Sequence, residues 1–232
     1  IVVASEEGTP QGGPLSPLLA NIYLDILDKE LERRNHAYSR YADDCNIYVR
    51  SEKAAGRVLE SITKWIKKNL RLDVNAEKSG YGKVSDKTKK FLGFRLNYKL
   101  EIVVAEKAIE KFKGKIKELW DRNQGKSSKD LRDQWKKYVT GWWAYFKLAG
   151  NRRPIFDLEP WIRRHIRACF WKRWHSAQGR RRALRKLGIK NEYHLGVAWS
   201  KKGAWSISKH STIQMALSNA VLRKYGFIMP SN

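Results

Sequence analysis

The sequence is poor in cysteine, has no long apolar run and has almost no acidic residues in its last third. Its two cysteines, Cys45 and Cys169, lie far apart, which excludes a disulfide framework and argues against a cysteine-based zinc site. No stretch approaches the roughly 18 uninterrupted apolar residues of a membrane-spanning helix, and no amphipathic anchor stands out. We therefore expect no membrane partner, and a reducing cytoplasm as the compartment.

The positive charge is concentrated toward the C-terminal end. The formal net charge is +25. Residues 1–104 contain 18 lysines and arginines against 14 aspartates and glutamates, whereas residues 105–232 contain 30 against 9. From Pro160 onward there are 16 basic residues and a single acid, Glu192. Such a distribution is typical of a surface that binds a polyanion, and it favours nucleic acid as the partner.

Hydropathy patterning predicts an α+β fold class. With 232 residues, 42% of them hydrophobic, the chain is able to bury a sizeable core. Helical periods follow the expected N-caps Ser16 and Ser51, strand-like runs flank the acidic pair at 43–44, and alternation predicts a further strand at 70–74. From Ala105 onward the periods are helical. We expect an antiparallel sheet with helices in residues 1–104, an all-α domain in 105–176 and a small basic region in 177–232.

Two adjacent carboxylates, Asp43 and Asp44, lie between two strand-like runs. Aspartates are common in tight turns because they tolerate left-handed backbone and bond their own main chain, and locally this alternative stays open. However, like charges at the tip of an apolar hairpin repel each other, so a fold that keeps them usually supplies a compensating cation. Hard oxygen ligands favour Mg²⁺ or Mn²⁺.

Several motifs, in one order, resemble the reverse transcriptases encoded by bacterial group II introns. The first four are Gly8-Thr9-Pro10-Gln11-Gly12-Gly13, Ser16-Pro17-Leu18-Leu19-Ala20-Asn21-Ile22-Tyr23-Leu24, Tyr41-Ala42-Asp43-Asp44 and Phe91-Leu92-Gly93-Phe94. The run Gly141-Trp142-Trp143-Ala144-Tyr145-Phe146 and the run Trp161-Ile162-Arg163-Arg164 are similar to that family's maturase or thumb region. Gly203-Ala204-Trp205-Ser206 and Ala216-Leu217-Ser218-Asn219-Ala220 resemble its DNA-binding end. The resemblance covers essentially the whole chain and implies a partial right-hand polymerase palm followed by a thumb/maturase domain.

The resemblance implies a two-metal nucleotidyl-transfer site at the acidic pair. Asp43 would be the main ligand of two Mg²⁺ or Mn²⁺ ions, with Asp44 assisting, and Ala42 would leave space beside them. Lys78 would meet the triphosphate of the incoming dNTP, with a solvated loop lysine as the alternative.

Other motif residues would hold the template and primer. Gln11 and Gly12 would contact the nascent base pair, although a simple helix-entry turn is the alternative interpretation of that loop. Phe91, Leu92 and Gly93 match the primer grip, where a glycine permits main-chain contact with the primer backbone.

Basic residues of the second half are expected to meet nucleic-acid phosphates, and some tryptophans to stack on bases. Trp135 and Trp142 fall on an apolar helical stripe and favour the core, whereas Trp199 and Trp205 fit a core or a stacking role equally well. The predicted phosphate-binding residues are Arg163, Arg164, Arg167, Lys172, Arg173, Arg180, Arg181, Arg182, Arg185, Lys186, Lys201 and Lys202.

The chain also departs from the family pattern. Family members have another metal-binding aspartate upstream of the glycine loop, together with a fingers region, and neither matches this sequence; Asp25, Asp28 and Asp73 do not fit that motif. Because the chain starts at Ile1 without methionine, we expect a piece of a longer polypeptide or a processed product. The chain alone is expected not to polymerise DNA, the missing parts coming from an upstream segment or a separate chain.

The sequence thus predicts an RNA-directed DNA polymerase of a group II intron that also binds its intron RNA as a splicing maturase. Its expected partners are intron RNA, an RNA template with a DNA primer, dNTP and target DNA, and its expected setting is a ribonucleoprotein in the bacterial cytoplasm. No Cys/His cluster resembles an endonuclease. Two alternatives stay open: a non-catalytic RNA-binding maturase, and one half of a split reverse transcriptase.

Overall fold

A computed structural model describes residues 13–121, 123 and 125–231. Residues 1–4, where the apolar run of the sequence predicts the end of a strand, and most of the glycine loop, with Gln11 and Gly12, lie outside the described residues. The chain divides into two compact units, Ile1–Leu92 and Gly93–Asn232. The elements of the first unit are helix α1 (Ser16–Arg33), strands β1 (Ala37–Tyr41) and β2 (Asp44–Tyr48), and helix α2 (Glu52–Leu70).

The described part of the first unit is a β-hairpin flanked by two helices. The core contains Leu27 and Leu31 of α1 together with Ile62 and Leu70 of α2, and the inward-facing hairpin residues pack against it. The N-terminal half of α1 leaves its apolar stripe exposed. The exposed apolar side chains of α1 and of the residue before it are Leu15, Leu18, Leu19, Ile22, Tyr23 and Ile26.

Two details of this unit differ from the sequence prediction. Ser16 is already helical and Leu15 occupies the N-cap without a side-chain hydrogen bond, so the expectation that Ser16 caps α1 is wrong. The strand expected at 70–74 is also wrong, because Leu70 is the last residue of α2 and Arg71 ends the helix with a left-handed φ of 53°. By contrast, the predicted N-cap Ser51 accepts a hydrogen bond from the Ala54 amide at 3.2 Å.

The second unit begins with a short hairpin and continues as helices. The hairpin joins β3 (Phe94–Leu96) and β4 (Ile102–Val104), whose register pairs Phe94 with Val104. The longer helices are α3 (Glu106–Leu119), α4 (Ser128–Phe146), α6 (Glu159–Arg173) and α7 (Ala177–Lys186). The shorter elements are α5 (Arg153–Phe156), α8 (Glu192–Leu195), the 3₁₀ turn η1 (Gly196–Trp199), α9 (Ala204–Ile207), α10 (Ser211–Ala216) and α11 (Asn219–Lys224).

The β3–β4 hairpin packs on the helical unit through its apolar face. Val104 lies in a buried cluster with Ala149 and Ile155. Phe94 contacts Tyr145 and Phe146, with ring centroids 5.5 and 5.3 Å apart. These contacts anchor the hairpin to the helices, and the compact second unit accordingly starts at Gly93. The domain boundaries expected at residues 104 and 176 stay predictions.

The main core of the second unit lies between α3, α4 and α6. Trp135 is fully buried there, as its position on the apolar stripe predicted, and Trp142 is half-buried with its ring 4.0 Å from that of Phe112. Phe227 and Met229, near the C-terminus, pack into the same cluster. A second cluster joins α6 and α7 to the short helices that follow.

Two small antiparallel sheets combined with many helices confirm the α+β fold class. Among the described residues, no helix has the length and apolar character needed to cross a membrane.

Candidate metal centre and nucleic-acid interface

The acidic pair lies at the tip of the β1–β2 hairpin. Tyr41 pairs with Asp44, so only Ala42 and Asp43 form the turn. Ala42 has a φ of 51°, a left-handed conformation that costs a residue with a Cβ about 1–2 kcal/mol. Asp43 lies in this tight turn and Asp44 begins β2, and both side chains are exposed. The sequence prediction of a hairpin with the two acids at its end is confirmed.

Arg40 fastens this turn to α1. Its guanidinium donates two hydrogen bonds to the carboxylate of Asp28, at 2.7 and 2.5 Å, and these bonds raise the pKa of Arg40. Its remaining terminal nitrogen donates to the Ala42 carbonyl at 2.9 Å and to the Asn21 side-chain oxygen at 3.1 Å. Burial raises the pKa of the thiol of Cys45, the cross-strand partner of Arg40. Arg40 therefore holds the strained residue that precedes Asp43.

Sequence reasoning missed the role of Arg40. A signal was available, since Arg40 is the only charged residue of a half-buried strand, and a half-buried arginine needs an acid as partner. The partner, Asp28, is 12 positions away on another element, and its identity depends on how α1 packs against the hairpin.

The other aspartates considered for the metal site are engaged in ion pairs. Asp25 bonds Lys29 at 2.6 Å, Asp28 bonds Arg40, and Asp73 bonds Lys67 at 2.9 Å. Within the described part of the first unit, the carboxylates of Asp43 and Asp44 accept no hydrogen bond and no ion pair. Their charges are therefore compensated by no side chain among those residues, which is the situation that favours cation binding.

The chemistry of the two carboxylates fits a hard divalent cation. Four oxygens on adjacent residues at an exposed turn are the donor type that Mg²⁺ and Mn²⁺ prefer. Among the residues that the structure describes, no group of three or more histidine, cysteine or acidic side chains is close enough to hold a metal ion. The expectation that a further aspartate is supplied from elsewhere stays a prediction.

Lys78 lies on a turn that Asn75 organises. The Asn75 side-chain oxygen accepts hydrogen bonds from the amides of Glu77 and Lys78, at 3.0 and 3.1 Å. The Lys78 side chain is exposed and has no bonding partner among the described residues. This placement leaves its ammonium available to an anion, while the predicted contact with dNTP stays a prediction.

Two of the three residues of the predicted primer grip have left-handed backbone conformations. Phe91 is half-buried, and Leu92 and Gly93 have φ values of 52° and 79°. The carbonyl of Gly93 accepts a hydrogen bond from the Ala105 amide at 2.8 Å. A Cβ at Gly93 would come within 3.2 Å of the Phe146 ring, so both φ and space require glycine here. Contact with the primer backbone stays a prediction.

Three predicted phosphate-binding arginines of α6 are engaged within the fold. Arg163 pairs with the buried Glu159 at 3.1 Å. Arg164 lies 3.8 Å from the centre of the Trp205 ring and donates to the Trp205 carbonyl at 3.0 Å. Arg167 is buried and donates to the Leu217 carbonyl at 3.1 Å, and burial lowers its pKa. Little of the Arg167 side chain is exposed, and its predicted contact with a phosphate stays a prediction.

The tryptophans whose roles the sequence left open are now distinguished. Trp205 is half-buried between Arg164 and His165, whose ring centroid is 4.6 Å away. Trp199 is 55% exposed, with the Arg181 guanidinium 5.6 Å from its ring centre. Of the two, only Trp199 has a substantial surface available for a base.

The remaining predicted basic residues differ in exposure. Arg173, Arg180 and Arg181 are half-buried. Those that are exposed are Lys172, Arg182, Arg185, Lys186, Lys201 and Lys202.

Comparison with protein families gives two matches. Residues 2–96 match the family model for reverse transcriptase (RNA-dependent DNA polymerase), a span that includes the acidic turn and Lys78. Residues 109–188 match the model for the maturase-specific domain of group II introns, a span that includes α6 and α7. A search of curated proteins found no match.

Proposed function

The chain belongs to the reverse transcriptases and maturases that group II introns encode, and from this premise we propose that Asp43 and Asp44 hold the metal ions of its nucleotidyl-transfer site. The reverse transcriptase match makes it an RNA-directed DNA polymerase, and the second match makes it a group II intron maturase. Intron RNA and a nucleic-acid substrate are therefore its partners.

The observation that supports this site is the contrast among the aspartates of the first unit. Asp25, Asp28 and Asp73 are neutralised by a lysine or an arginine, whereas Asp43 and Asp44 are exposed at a strained turn and have no ion-pair partner among the described residues. Strained backbone persists where the surrounding structure holds it in place, and here the Arg40 guanidinium does so through the Ala42 carbonyl.

The residues around the turn would divide the work of nucleotide addition. Two bound Mg²⁺ or Mn²⁺ ions would supply activation of the primer 3′-hydroxyl and neutralisation of charge on the leaving pyrophosphate. Asp43 is the proposed main ligand and Asp44 its helper. The small side chain of Ala42 leaves space beside the two aspartates. Lys78 is the proposed contact to the triphosphate of dNTP.

The proposal extends to nucleic-acid contacts outside the turn. Gln11 and Gly12 are the proposed contacts to the nascent pair. Phe91, Leu92 and Gly93 are the proposed contacts to the DNA primer on an RNA template. Target DNA is a further proposed partner. The proposed setting is a ribonucleoprotein with the intron RNA, which the maturase match supports, in the bacterial cytoplasm, which the two free thiols support.

Substitution of Asp43 by asparagine tests the site. In primer extension on an RNA template by the full-length protein, we expect Asp43→Asn to lower the rate at least about 100-fold, since removal of one charged group from a catalytic centre commonly has that effect. Asp25→Asn is the matched control, because Asp25 is an exposed aspartate whose one ion pair within the described part of the chain is with Lys29. The control should retain activity within about two-fold.

A second measurement locates the metal independently of activity. Fe²⁺ bound in place of Mg²⁺ reduces added hydrogen peroxide to hydroxide and hydroxyl radical, itself becoming Fe³⁺, and backbone cleavage in the protein should concentrate near residues 41–44. Both Asp43→Asn and Asp44→Asn should abolish that cleavage. Undiminished cDNA synthesis by Asp43→Asn, or cleavage that persists in both variants, would sink the proposal. Splicing assistance retained by Asp43→Asn would show that the two activities separate.

A further inference from the structure

A cavity of about 410 Å³ lies where α6 ends and α7 begins. Its polar lining consists chiefly of basic side chains, and none of the described residues that line it is acidic. Its walls include Arg173, Trp174, His175, Ser176, Arg182 and Lys186. His175, Arg182 and Lys186 are exposed, so the cavity is accessible from solvent. We refer to it below as the α6–α7 pocket.

The arginine-rich helix α7 distributes its basic residues among three environments. Arg180 stacks on the buried Trp171 at 4.6 Å from the ring centre. Arg181 and Arg185 both bond Glu192, at 2.5 and 2.6 Å. Glu192 is the only acid after Pro160, so no acid from that region is left for the other two basic residues of the helix.

Arg182 and Lys186 are those two residues, and both face the α6–α7 pocket. They lie four positions apart and therefore share one side of the helix. Among the described residues, neither side chain has a hydrogen bond, an ion pair or a ring contact. Two like charges held together without a counter-ion repel each other, and an anion in the pocket would relieve this repulsion.

The beginning of α7 also faces the pocket. Ser176 caps the helix by accepting a hydrogen bond from the Gly179 amide at 3.0 Å. The amides of Ala177 and Gln178 have no acceptor within the helix, because the first turn lacks preceding carbonyls. Gly179 lines the pocket without a side chain. The partial positive charge of the helix N-terminus thus adds to the charges of Arg182 and Lys186.

An adjoining cavity of about 540 Å³ shares Arg173, Trp174 and His175 with the α6–α7 pocket. Its lining adds Lys172 and, among the described residues, also contains no acid. Two neighbouring basic cavities are a better fit to a chain of phosphates than to an isolated small anion, since a polynucleotide that occupies one would continue into the other.

From these observations we propose that the α6–α7 pocket binds one phosphodiester of an RNA strand, held by Arg182, Lys186 and the first turn of α7. The inference rests on the proposed function, because the pocket lies inside the span that matches the maturase-specific domain. Its contacts are to phosphate alone, so the recognition is independent of base sequence.

Neutralisation of the two unpaired charges tests the pocket. The double substitution Arg182→Gln with Lys186→Gln should lower the affinity of the full-length protein for an oligouridylate of about twelve nucleotides roughly ten-fold. The slope of log K against log salt should decrease by about 0.7 for each phosphate that the variant no longer neutralises. Lys190→Gln with Lys209→Gln is the matched control, since both lysines are exposed and do not line the pocket. The control should change the affinity less than about two-fold.

Titration with inorganic phosphate gives a second measurement. In NMR spectra of the histidine rings, the signal of His175 should shift on addition of phosphate and should not shift in the Arg182→Gln, Lys186→Gln variant. The substitution His175→Gln assigns the signal. Equal loss of oligouridylate affinity in the pocket variant and its control, or phosphate binding that the pocket variant retains, would overturn the proposal.

Two further outcomes distinguish other ligands. The pocket could bind inorganic phosphate while the Arg182→Gln, Lys186→Gln variant keeps its affinity for oligouridylate. That result would mean that the pocket accepts a free anion, and it would contradict the RNA assignment. Loss of affinity for an oligothymidylate only would assign the pocket to DNA instead. Asp43→Asn should leave the oligouridylate affinity and the His175 shift unchanged, so failure of the polymerase proposal and failure of the pocket proposal are separately visible.

Discussion

At the scale of single residues, identical side chains have different roles because their neighbours differ. Arg167 is buried against a carbonyl, Arg164 covers an indole ring, Arg185 neutralises Glu192 and Arg182 has no partner among the described residues. Charge reversal across α6 would therefore damage the fold as well as any RNA contact. Residues such as Arg182 are better probes of binding, because their removal leaves no buried group unsatisfied.

Glu30 gives a residue-scale prediction about pH. Hydrogen bonds from Arg33 and then Arg34 lower the pKa of this buried carboxylate to about 2. A lowered pKa in the folded state stabilises the fold above the usual value of about 4.5, and this contribution is lost as pH falls toward 2. We expect Glu30→Gln to reduce the free energy of unfolding near neutral pH, with the difference from the unsubstituted protein shrinking below pH 4.5.

Urea unfolding at a series of pH values between 7 and 2 measures this difference. Glu60→Gln is the control, because Glu60 forms an exposed ion pair with Lys64 on α2, and such pairs contribute little. A difference for Glu30→Gln that stays constant from pH 7 to 2 would contradict the assignment.

At the scale of elements, the β1–β2 hairpin depends on α1 for its shape. A two-stranded hairpin is marginal alone, and here its tip contains a residue with left-handed backbone that lacks the freedom of glycine. The bond from Arg40 to the Ala42 carbonyl and the paired bonds to Asp28 connect the tip to the helix. The position of the acidic pair is therefore a property of helix and hairpin together.

Arg40→Gln should accordingly affect both stability and catalysis. Removal of the guanidinium leaves the half-buried Asp28 without its partner, and we expect a loss of about 1–3 kcal/mol in the free energy of unfolding. As a positioning residue for Asp43, Arg40 should also affect the metal: we expect Fe²⁺-directed cleavage near residues 41–44 to weaken in Arg40→Gln. Arg40→Lys, which restores the charge without the paired bonds, should rescue only part of either property.

A purely structural role for Arg40 predicts a different result. In that case stability would fall while the cleavage by bound Fe²⁺, measured on the folded fraction, stayed unchanged. Arg57→Gln on α2 serves as the control, since Arg57 has no hydrogen bond or ion pair to a described residue and its loss should alter neither measurement.

At the scale of the whole molecule, each compact unit has its own core and its own charge character. In the second unit, the last residues of the chain are part of the helical core. Trp135 donates a hydrogen bond to the Ile228 carbonyl at 2.7 Å, and the ring of Phe227 lies 5.7 Å from Trp120 and 5.5 Å from Phe170. The basic C-terminal region is therefore joined to α3, α4 and α6 by packing.

Phe227→Ala should show this dependence. Phe227 is buried, and truncation of a buried phenylalanine costs about 3–5 kcal/mol, because apolar packing is removed and a cavity is left behind. Chemical denaturation should report a loss of that size, whereas Tyr225→Ala, which removes an exposed ring, should change stability by less than about 1 kcal/mol. A small effect of Phe227→Ala would mean that the C-terminal region folds independently of the helices.

The sequence by itself determined the features that depend on neighbours along the chain. The Ser51 cap, the periods of the long helices, the burial of Trp135 and the acidic turn between two strands were all predicted, because capping, amphipathic spacing and hairpin formation are local. The wrong strand at residues 70–74 shows the limit of such patterns. Alternating apolar residues form a strand only beside a partner, and Leu70 is instead the last residue of α2.

Only the tertiary structure decided which charges are neutralised and which are left free. Three contacts join residues that are distant along the chain or lie on separate helices. They are the pairing of Arg40 with Asp28, the pairing of Arg181 and Arg185 with Glu192, and the bond of the buried Arg167 to the Leu217 carbonyl. Sequence patterns identify charged residues, but electrostatic compensation depends on distances of a few ångströms between packed elements. The acidic turn and the α6–α7 pocket became distinct sites for this reason.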